Sequence, residues 1–459
     1  MATDIVILAA GKGTRMKSSL PKVLHRLAGR SLLQHVVDTA ETVNDANIMV
    51  VTGHGAEEVK SSICGDHLRY IEQIEQLGTA HAVLQVAPLL SAKGVTLILY
   101  GDVPLISSET IAGMLQKVSD RSMALLTVQL GDPTGYGRIV RDENDQVAAI
   151  VEQKDASQEQ LHISEVNTGV LALPSDRLQE WLPQIGNENA QGEYYLTDII
   201  AIARNAGFQI ETLQPRFIEE VEGVNNRLQL NNLERYYQKR QAEQLMLDGV
   251  ALADATRIDV RGNLRTGIDN FIDINAVFEG DVSLGRHVKI GPNCLIINST
   301  IADGVEVKAN SIIEECQIGN NAVIGPFARL RPGTELADDV QVGNFVEIKK
   351  VRVGKGSKIS HLSYVGDAEL GDNVNVGAGT ITCNYDGVNK YKTSIGDNAF
   401  IGSNTSLVAP VKVGINATVG AGSTINKDVP DNELGLTRAK QRNISDWTRP
   451  SKKEPSNKN

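Results

Sequence analysis

The chain has 459 residues, too many for one compact core and enough for about three units, unless an elongated repeat array absorbs much of the length. Aromatic residues are only 4% of it against 41% hydrophobic, so its cores must be aliphatic, which suits narrow, layered architectures. With 22% charged residues and a net charge of -11, bulk attraction to nucleic acid or anionic lipid is excluded, and an anionic substrate would have to be held by local cations and backbone amides.

The chain opens on a strand-like apolar run with no basic n-region, no long h-region and no cleavage site, and no stretch is long enough to span a membrane. Cys64, Cys294, Cys316 and Cys383 are far apart and form no Cys-x-x-Cys pair, so they read as reduced, mostly buried small hydrophobes of a cytoplasmic chain without a disulfide or zinc framework. Residues 1–226 alternate strand-like runs (Ile5–Ala10, Ile48–Val51, Val95–Tyr100, Ala124–Val128, Val166–Leu173) with amphipathic segments such as Ser31–Val43, a pattern that predicts a largely parallel, doubly wound α/β sheet. Ligands of such sheets gather at the carboxyl ends of the strands. There the first strand runs into Gly11-Lys12-Gly13-Thr14-Arg15-Met16, whose free amides and two cations form a possible phosphate cradle, although an ordinary turn accounts for it alone. It is not a Walker loop, and Met16 stands where a dinucleotide fingerprint needs a third glycine. Pro21-Lys22 predicts a helix start with a lysine at an anion-binding end, and Asp102 closes the most hydrophobic strand.

Residues 227–250, with Leu228, Leu233, Tyr236, Tyr237 and Leu245 among many Gln, Arg and Glu, predict a connecting helix. Beyond it, residues 251–437 hold 23 of the 42 glycines, and aliphatic residues recur every six positions, as at Ile318, Ile324, Leu330, Leu336, Val342 and Ile348. Five-residue steps then lead to Val353 and Leu370, and the series resumes from Ile395 to Ile425. Positions two residues earlier (Ser357, Ser363, Ala399, Thr405, Ala417, Ser423) are small and share the inward face, because a strand has period two. Six residues make one short strand and a corner, three such sides close an 18-residue coil, and stacked coils about 4.8 Å apart form a parallel β-helix. Residues 438–459 are basic, glycine-free and poor in apolar groups, and read as a tail.

On such coils Arg331 and Lys349 occupy equivalent positions one turn apart, so either both cations fan into solvent or an anion sits between them. His361 falls at a corner between inward Ile359 and Val365, placing an imidazole, suited to taking a proton from an attacking amine, on the outside. A polar insertion, Asn384 to Lys392, interrupts the repeat, and insertions in solenoids concentrate on a binding face. Cys383 beside it has no evident base or resolving thiol, so it is not read as a covalent nucleophile.

The segments Leu8-Ala9-Ala10-Gly11-Lys12-Gly13-Thr14-Arg15-Met16, Leu20-Pro21-Lys22, Gln76-Leu77-Gly78-Thr79, Tyr100-Gly101-Asp102 and Gly192-Glu193-Tyr194-Tyr195-Leu196-Thr197-Asp198 resemble the sugar-1-phosphate nucleotidyltransferases. With the hexapeptide domain attached, the resemblance narrows to the bacterial family of bifunctional N-acetylglucosamine-1-phosphate uridyltransferase / glucosamine-1-phosphate acetyltransferases, over nearly the whole chain except the tail. It implies a Rossmann-like nucleotidyltransferase domain followed by a left-handed β-helix, and a homotrimer whose acetyltransferase sites form between chains. Mg²⁺ is the implied metal, and UTP and acetyl-CoA are the implied co-substrates. For the nucleotide and its sugar product it implies contacts from Leu8, Ala9, Ala10, Gly11, Arg15, Lys22, Gln73, Gly78, Thr79, Tyr100, Gly101, Gly137, Glu152, Asn167 and Asn225. Among these Gly11, Arg15 and Lys22 would meet the phosphates, Gln73, Gly78 and Thr79 the uracil, and Gly137, Glu152 and Asn167 the sugar. Asp102 and Asn225 would ligate the metal. In the β-helix it implies His361 as general base, Arg331, Lys349, Tyr364 and Asn375 for glucosamine-1-phosphate, and Ala378, Asn384, Tyr385, Ser403, Ala421 and Arg438 for acetyl-CoA. Two readings compete with it: a nucleotidyltransferase whose β-helix serves only assembly, and a non-catalytic nucleotide-sensing scaffold.

Overall fold

A computed structural model describes residues 2–65 and 67–452. Its contacts divide the chain into two compact units, Met1–Gln241 with Val260–Gly262, and Ala242–Asp259 with Asn263–Asn459. Among the described residues no helix is long and apolar enough to cross a membrane.

The first unit is built on strands β1 (Ala2–Ala9), β2 (Ala46–Thr52), β3 (Arg69–Glu72), β4 (Gly94–Tyr100), β5 (Ser122–Gln129), β6 (Arg138–Arg141), β7 (Val147–Val151), β8 (Glu165–Pro174) and β9 (Gln209–Leu213). Its main sheet runs β9-β5-β8-β4-β1-β2-β3, with the β6–β7 hairpin attached to β8. The pairs around β1 are parallel, whereas β8 runs antiparallel to both neighbours and its register against β5 shifts between Asn167 and Leu171. Period-two alternation divides the core. Val6, Leu8, Met49, Val51 and Ile98 face one apolar layer with Val83, Trp181 and Ile199; Ile5, Ile7, Ile48, Val50, Leu97 and Leu99 face the other with Val36, Val37 and Ile111. Two helices start where serine side chains accept a backbone N–H of the first turn: Ser31 from Gln34 for the helix Leu32–Ala40, and Ser107 from Thr110 for Ser108–Gln116.

One expectation is corrected. Lys22–Leu24 is a single 3₁₀ turn and not the start of an α-helix, so no helix dipole stands behind Lys22 and any anion-binding role rests on its ammonium. The helix Arg227–Leu247 is present, and its first half packs Leu233 with Met16, Leu27, Leu32, Leu105 and Val224.

The second unit is a stack of short parallel strands. The repeated aliphatic residues from Leu284 to Ile425 are buried, and so are the small residues two positions earlier. Register partners are 18 residues apart where the six-residue step holds (Leu330 with Ile348), 17 after a five-residue step (Val342 with Ile359) and 25 across the insertion (Leu370 with Ile395). Corners are rich in Asn and Asp because many adopt positive φ, as at Asn275, Asn293 and Asn310, whose amides also hydrogen-bond from coil to coil at 2.8 and 3.2 Å. The segment 438–452 is exposed and without helix or strand; the rest of the sequence-defined tail lies outside the described residues.

All four cysteines are unpaired, but the expectation that they are mostly buried holds only for Cys294 and Cys316; Cys64 is exposed and Cys383 half-buried. Burial raises the Cys294 thiol pKa and pushes that of Cys316 up to about 12. A thiol-specific disulfide reagent is therefore expected to modify Cys64 in the native protein and Cys294 and Cys316 only after unfolding, as mass spectrometry of modified peptides would reveal.

Candidate active sites

In the first unit a cleft of about 340 Å³ opens at the carboxyl ends of β1 and β4. Leu8, Ala9, Ala10, Gly11, Lys22, Gln73, Gly78, Thr79, Tyr100 and Asp102 line it, together with Gln76 and Glu193. Its floor is held by main-chain contacts: Gly101 N–H donates to Leu8 O at 2.9 Å, and Tyr194 N–H to Leu77 O at 2.8 Å. Gly78 (φ +125°) lies so close to the Tyr194 backbone that a Cβ would stand 2.5 Å from its carbonyl oxygen. Gln73, 3% exposed, donates to Gly78 O at 3.1 Å and contacts His81 Nδ1 at 3.1 Å, which fixes its amide beside the cleft.

At the cleft's rim three chain segments converge. Lys22 Nζ sits against the Asp102 carboxylate and donates to Asn225 Oδ1 at 3.2 Å; Arg15 donates to the same oxygen at 2.9 Å. A second group gathers beyond Tyr100. Asn167 N–H donates to Gly137 O at 2.9 Å, the Glu152 carboxylate lies against Gly137, and Thr197 Oγ1 donates to Glu152 at 3.4 Å. Burial, reinforced by Asp155 and Asp198 and opposed by the Thr197 hydroxyl, raises the Glu152 pKa. Tyr100 joins the two groups. Its ring packs over Gly169 at the β8 irregularity, and burial together with the Asp102 and Glu152 charges raises its phenol pKa far above the ordinary value.

In the second unit one corner of the coil carries His361, Ala378, Ser403 and Ala421 on successive turns: Gly379 N–H donates to His361 O at 3.3 Å, Asn404 N–H to Ala378 O at 2.8 Å and Gly422 N–H to Ser403 O at 2.8 Å. The side chain of Arg438 lies over Gly422 at the end of that column. His361 is exposed, and its Nδ1 is 2.8 Å from Asn344 Oδ1, its register partner on the preceding coil. Because a carbonyl oxygen only accepts, Nδ1 carries the proton in this pairing and Nε2 is left as the basic nitrogen.

The next face holds Tyr364, Lys349 and Arg331. Arg331 and Lys349 are register partners, and Tyr364 pairs in register with Glu347. Arg331 donates to Glu347 at 2.8 Å. Lys390 from the insertion, then Arg331, hold the Lys349 ammonium below the usual lysine pKa, while Asp367 pulls the other way. At the following corner the buried Asn384 amide donates to Asp367, and exposed Tyr385 caps the insertion by donating to Gly387 O. Asn375 starts the strand that leads to the His361 column and pairs in register with Lys358 and Phe400.

Comparison with known proteins gives the same division. A model of the MobA-like NTP transferase domain matches residues 5–163, one of the GMPPB C-terminal domain residues 262–366, and one of the hexapeptide repeat of succinyl-transferase residues 392–427. Three relatives are each named "Bifunctional protein GlmU". The chain is 60% identical to that of Marinobacter nauticus, covering 98% of this chain and 99% of the relative, and 59% identical to that of Cellvibrio japonicus over 98% and 99%. It is 57% identical to that of Idiomarina loihiensis over 99% and 100%. The chain belongs to the bifunctional GlmU family.

The fold of this GlmU-family chain is accordingly a Rossmann-like nucleotidyltransferase unit and a left-handed parallel β-helix of hexapeptide repeats. The residues at the rim fit a divalent metal. A carboxylate and an amide oxygen, both hard donors, already converge on a cation, the Lys22 ammonium. Among the described residues no group of three or more His, Cys, Asp or Glu side chains could hold a metal, so phosphate oxygens would have to complete the shell. Five participants carried no role in the sequence reading: Gln76, Thr197, Asn344, Lys390 and Glu193, the last also in a motif segment. The first two lie in or beside motif segments, Asn344 was findable as the position one coil before His361, and Lys390 is visible only once the insertion folds back.

Proposed function

We infer that this GlmU-family enzyme acetylates glucosamine-1-phosphate with acetyl-CoA in its β-helix and then, in its first unit, transfers UMP from UTP to N-acetylglucosamine-1-phosphate, releasing pyrophosphate and UDP-N-acetylglucosamine, a precursor of cell-wall and lipopolysaccharide sugars. The observation that carries the reading is that one chain holds two separate and chemically distinct constellations: Lys22, Asp102, Asn225 and Arg15 in one unit, His361 with Asn344 beside stacked cations in the other.

In the acetyl transfer, Arg331, Lys349 and Lys390 hold the sugar phosphate and leave the amine beside His361. The amine attacks the thioester carbonyl, His361 Nε2 takes its proton, and coenzyme A leaves as the thiolate. Ala378, Ser403, Ala421 and Arg438, stacked above His361 on one corner, support a coenzyme A track that ends at the thioester, with Asn384 and Tyr385 at the insertion. In the uridylyl transfer the sugar phosphate oxygen attacks the α-phosphorus of UTP in line and needs no general base. Gly11, Arg15 and Lys22 meet the phosphates, Gln73, Gly78 and Thr79 the base, and Gly137, Glu152 and Asn167 the sugar. A bound Mg²⁺, held by Asp102 and Asn225, would neutralise the phosphate charge that develops. Lys22 must then move from Asp102 to the phosphates.

The reading includes a homotrimer with acetyl-transfer sites shared between copies. Phe327 and Phe345 stack at 5.2 Å on the His361 corner and are 49% and 56% exposed, followed by Leu362 at 63%. Such an apolar column beside a general base suits burial by a second copy of the chain. Phe345→Asp is expected to dissociate the assembly and lower acetyl transfer by at least about 10-fold, since a buried aromatic anchor carries about 2 kcal/mol or more of an interface. Light scattering with both assays checks it; an intact trimer would remove the column from the interface. A cytoplasmic setting completes the reading, supported by four cysteines with no disulfide.

The test is a paired assay on the whole protein with glucosamine-1-phosphate, acetyl-CoA, UTP and Mg²⁺, following free thiol and pyrophosphate separately. Thiol release followed by pyrophosphate is the expected result. Pyrophosphate only when N-acetylglucosamine-1-phosphate is supplied would leave the β-helix an assembly device.

A further inference from the structure

Two short segments carry the pair Asp102 and Asn225. The first runs from Asp102 to Ser107, the N-cap of the helix Ser108–Gln116; the second runs from Phe217 through the 3₁₀ turn Ile218–Val221 to Asn225. Neither is a regular element of the sheet, so something other than a ladder must set the distance between the two side chains. At the site end they are tied by one main-chain bond, Val224 N–H to Asp102 O at 2.9 Å. At the far end the tie is a single carboxylate. Glu220, 1% exposed, accepts from Ser107 Oγ at 2.6 Å, Thr110 Oγ1 at 2.6 Å and Ser107 N–H at 3.3 Å through Oε2, and from Phe217 N–H at 3.2 Å through Oε1.

A buried glutamate is expensive unless its oxygens are saturated, and here its partners are Ser107 at the end of the first segment, Thr110 in the first turn of the helix that follows it, and Phe217 at the start of its own segment. Apolar packing would hold the segments together without fixing their register. The hydrogen bonds from Ser107 and Thr110 that converge on Oε2 fix it, because sliding one segment along the other breaks several at once, while the Phe217 N–H bond to Oε1 holds the carboxylate within its own turn. Val221 and Ile106 fill the space around this tie, and Val224 and Leu105 pack on the side of Met16, so the clamp is seated in core on two sides. Glu220 lies five residues before Asn225 and Ser107 five after Asp102, so the clamp acts at equal chain distance on both.

We propose that Glu220 is a positioning residue for uridylyl transfer, locking the Asp102 and Asn225 segments in register so that both oxygens meet one cation; this rests on the nucleotidyltransferase reading above. It touches neither substrate nor metal. A misplacement of about 1 Å at a reacting centre costs about 100-fold in rate, which sets the expected scale.

The test uses the full-length protein and four variants: Glu220→Gln, Glu220→Ala, Thr110→Val and, as control, Asp102→Asn. In Glu220→Gln the amide nitrogen must face donors, so the variant loses either the Oε2 bonds that tie the two segments or the Oε1 bond that orients the side chain within its own turn. Pyrophosphate release by this variant is expected to fall about 100-fold in kcat, with the Mg²⁺ concentration for half-maximal rate raised about 10-fold and the acetyl transfer rate unchanged. Hydrogen exchange supplies a readout without substrate or metal: the Val224 amide should lose protection in the variant. Thr110→Val, which removes one bond and keeps the shape, should show the same pattern at about a tenth of the size. If Glu220→Ala does not fold, Thr110→Val and Glu220→Gln still decide. Unchanged Mg²⁺ dependence and unchanged Val224 exchange in folded Glu220→Gln would overturn the proposal. Absence of pyrophosphate release from the unsubstituted protein would instead overturn the nucleotidyltransferase reading beneath it, and full pyrophosphate release by Asp102→Asn would overturn the metal role of Asp102 on which the clamp is argued.

Discussion

Replacing His361 with alanine is expected to reduce acetyl transfer by about 10²- to 10⁴-fold, the range a positioned general base contributes, and to leave pyrophosphate release from N-acetylglucosamine-1-phosphate and UTP unchanged. The expectation follows from the pairing with Asn344. That amide oxygen holds the proton on Nδ1 at 2.8 Å and commits Nε2 to accepting, so the imidazole is prepared as a base before substrate arrives. Without it the attacking amine must lose its proton to water, while the proposed phosphate site on Arg331, Lys349 and Lys390 is untouched. The loss should therefore appear in kcat, with little change in KM for glucosamine-1-phosphate. Asn344→Ala should show a milder version, because the ring remains but its tautomer is no longer held. Separate thiol and pyrophosphate assays on the purified variants check both; equal loss of the two activities would show that the sites are not independent.

Asp102→Ala is expected to do the reverse, lowering uridylyl transfer by more than about 100-fold, since loss even of a group supporting a metal ligand costs 10- to 100-fold. Two effects add. A hard oxygen donor for the proposed divalent ion is lost, and Lys22, which sits against that carboxylate, keeps only Asn225 as a neighbour at 3.2 Å. Asp102→Asn separates them, because it keeps an oxygen and the shape but removes the charge, and raised Mg²⁺ should recover part of its rate and none of the alanine variant's. Titrating Mg²⁺ at fixed UTP is the measurement. Full Mg²⁺-dependent turnover in Asp102→Ala would exclude this carboxylate from the metal site. Acetyl transfer should not change in either variant, since His361 and its cations lie in the other compact unit.

The two units differ in how far their sites could be read in advance. In the β-helix nearly everything follows from one short repeat: the inward aliphatic column, the small residues beside it, the outward corners and the register of Arg331 with Lys349. Such a coil is local, each strand lying on the residue about 18 positions away, so spacing becomes contact. Asn344 was overlooked even there, because an asparagine at a corner is ordinary until its neighbour one coil on is a histidine. In the α/β unit the strands and the helix after Ser31 were legible from period and capping, whereas the Pro21-Lys22 step misled, since proline suits a 3₁₀ turn as well as a helix start.

What the amino-acid order determined by itself is therefore most of the short-range features: the alternation of strand and helix, the hexapeptide coil, the glycine-rich turn after β1 and the motifs whose resemblance points to the family. The tertiary structure alone decided which distant residues meet. Lys22, Asp102 and Asn225 come together across 80 and 203 positions of chain, Lys390 reaches the Lys349 stack only when the insertion folds back, and Glu220 finds Ser107 and Thr110 from more than a hundred residues away. The reason is physical. Periodicity and capping are set by neighbours within a turn or a strand, while the convergence of charged and polar groups depends on how buried apolar faces pack, and no local pattern encodes that packing.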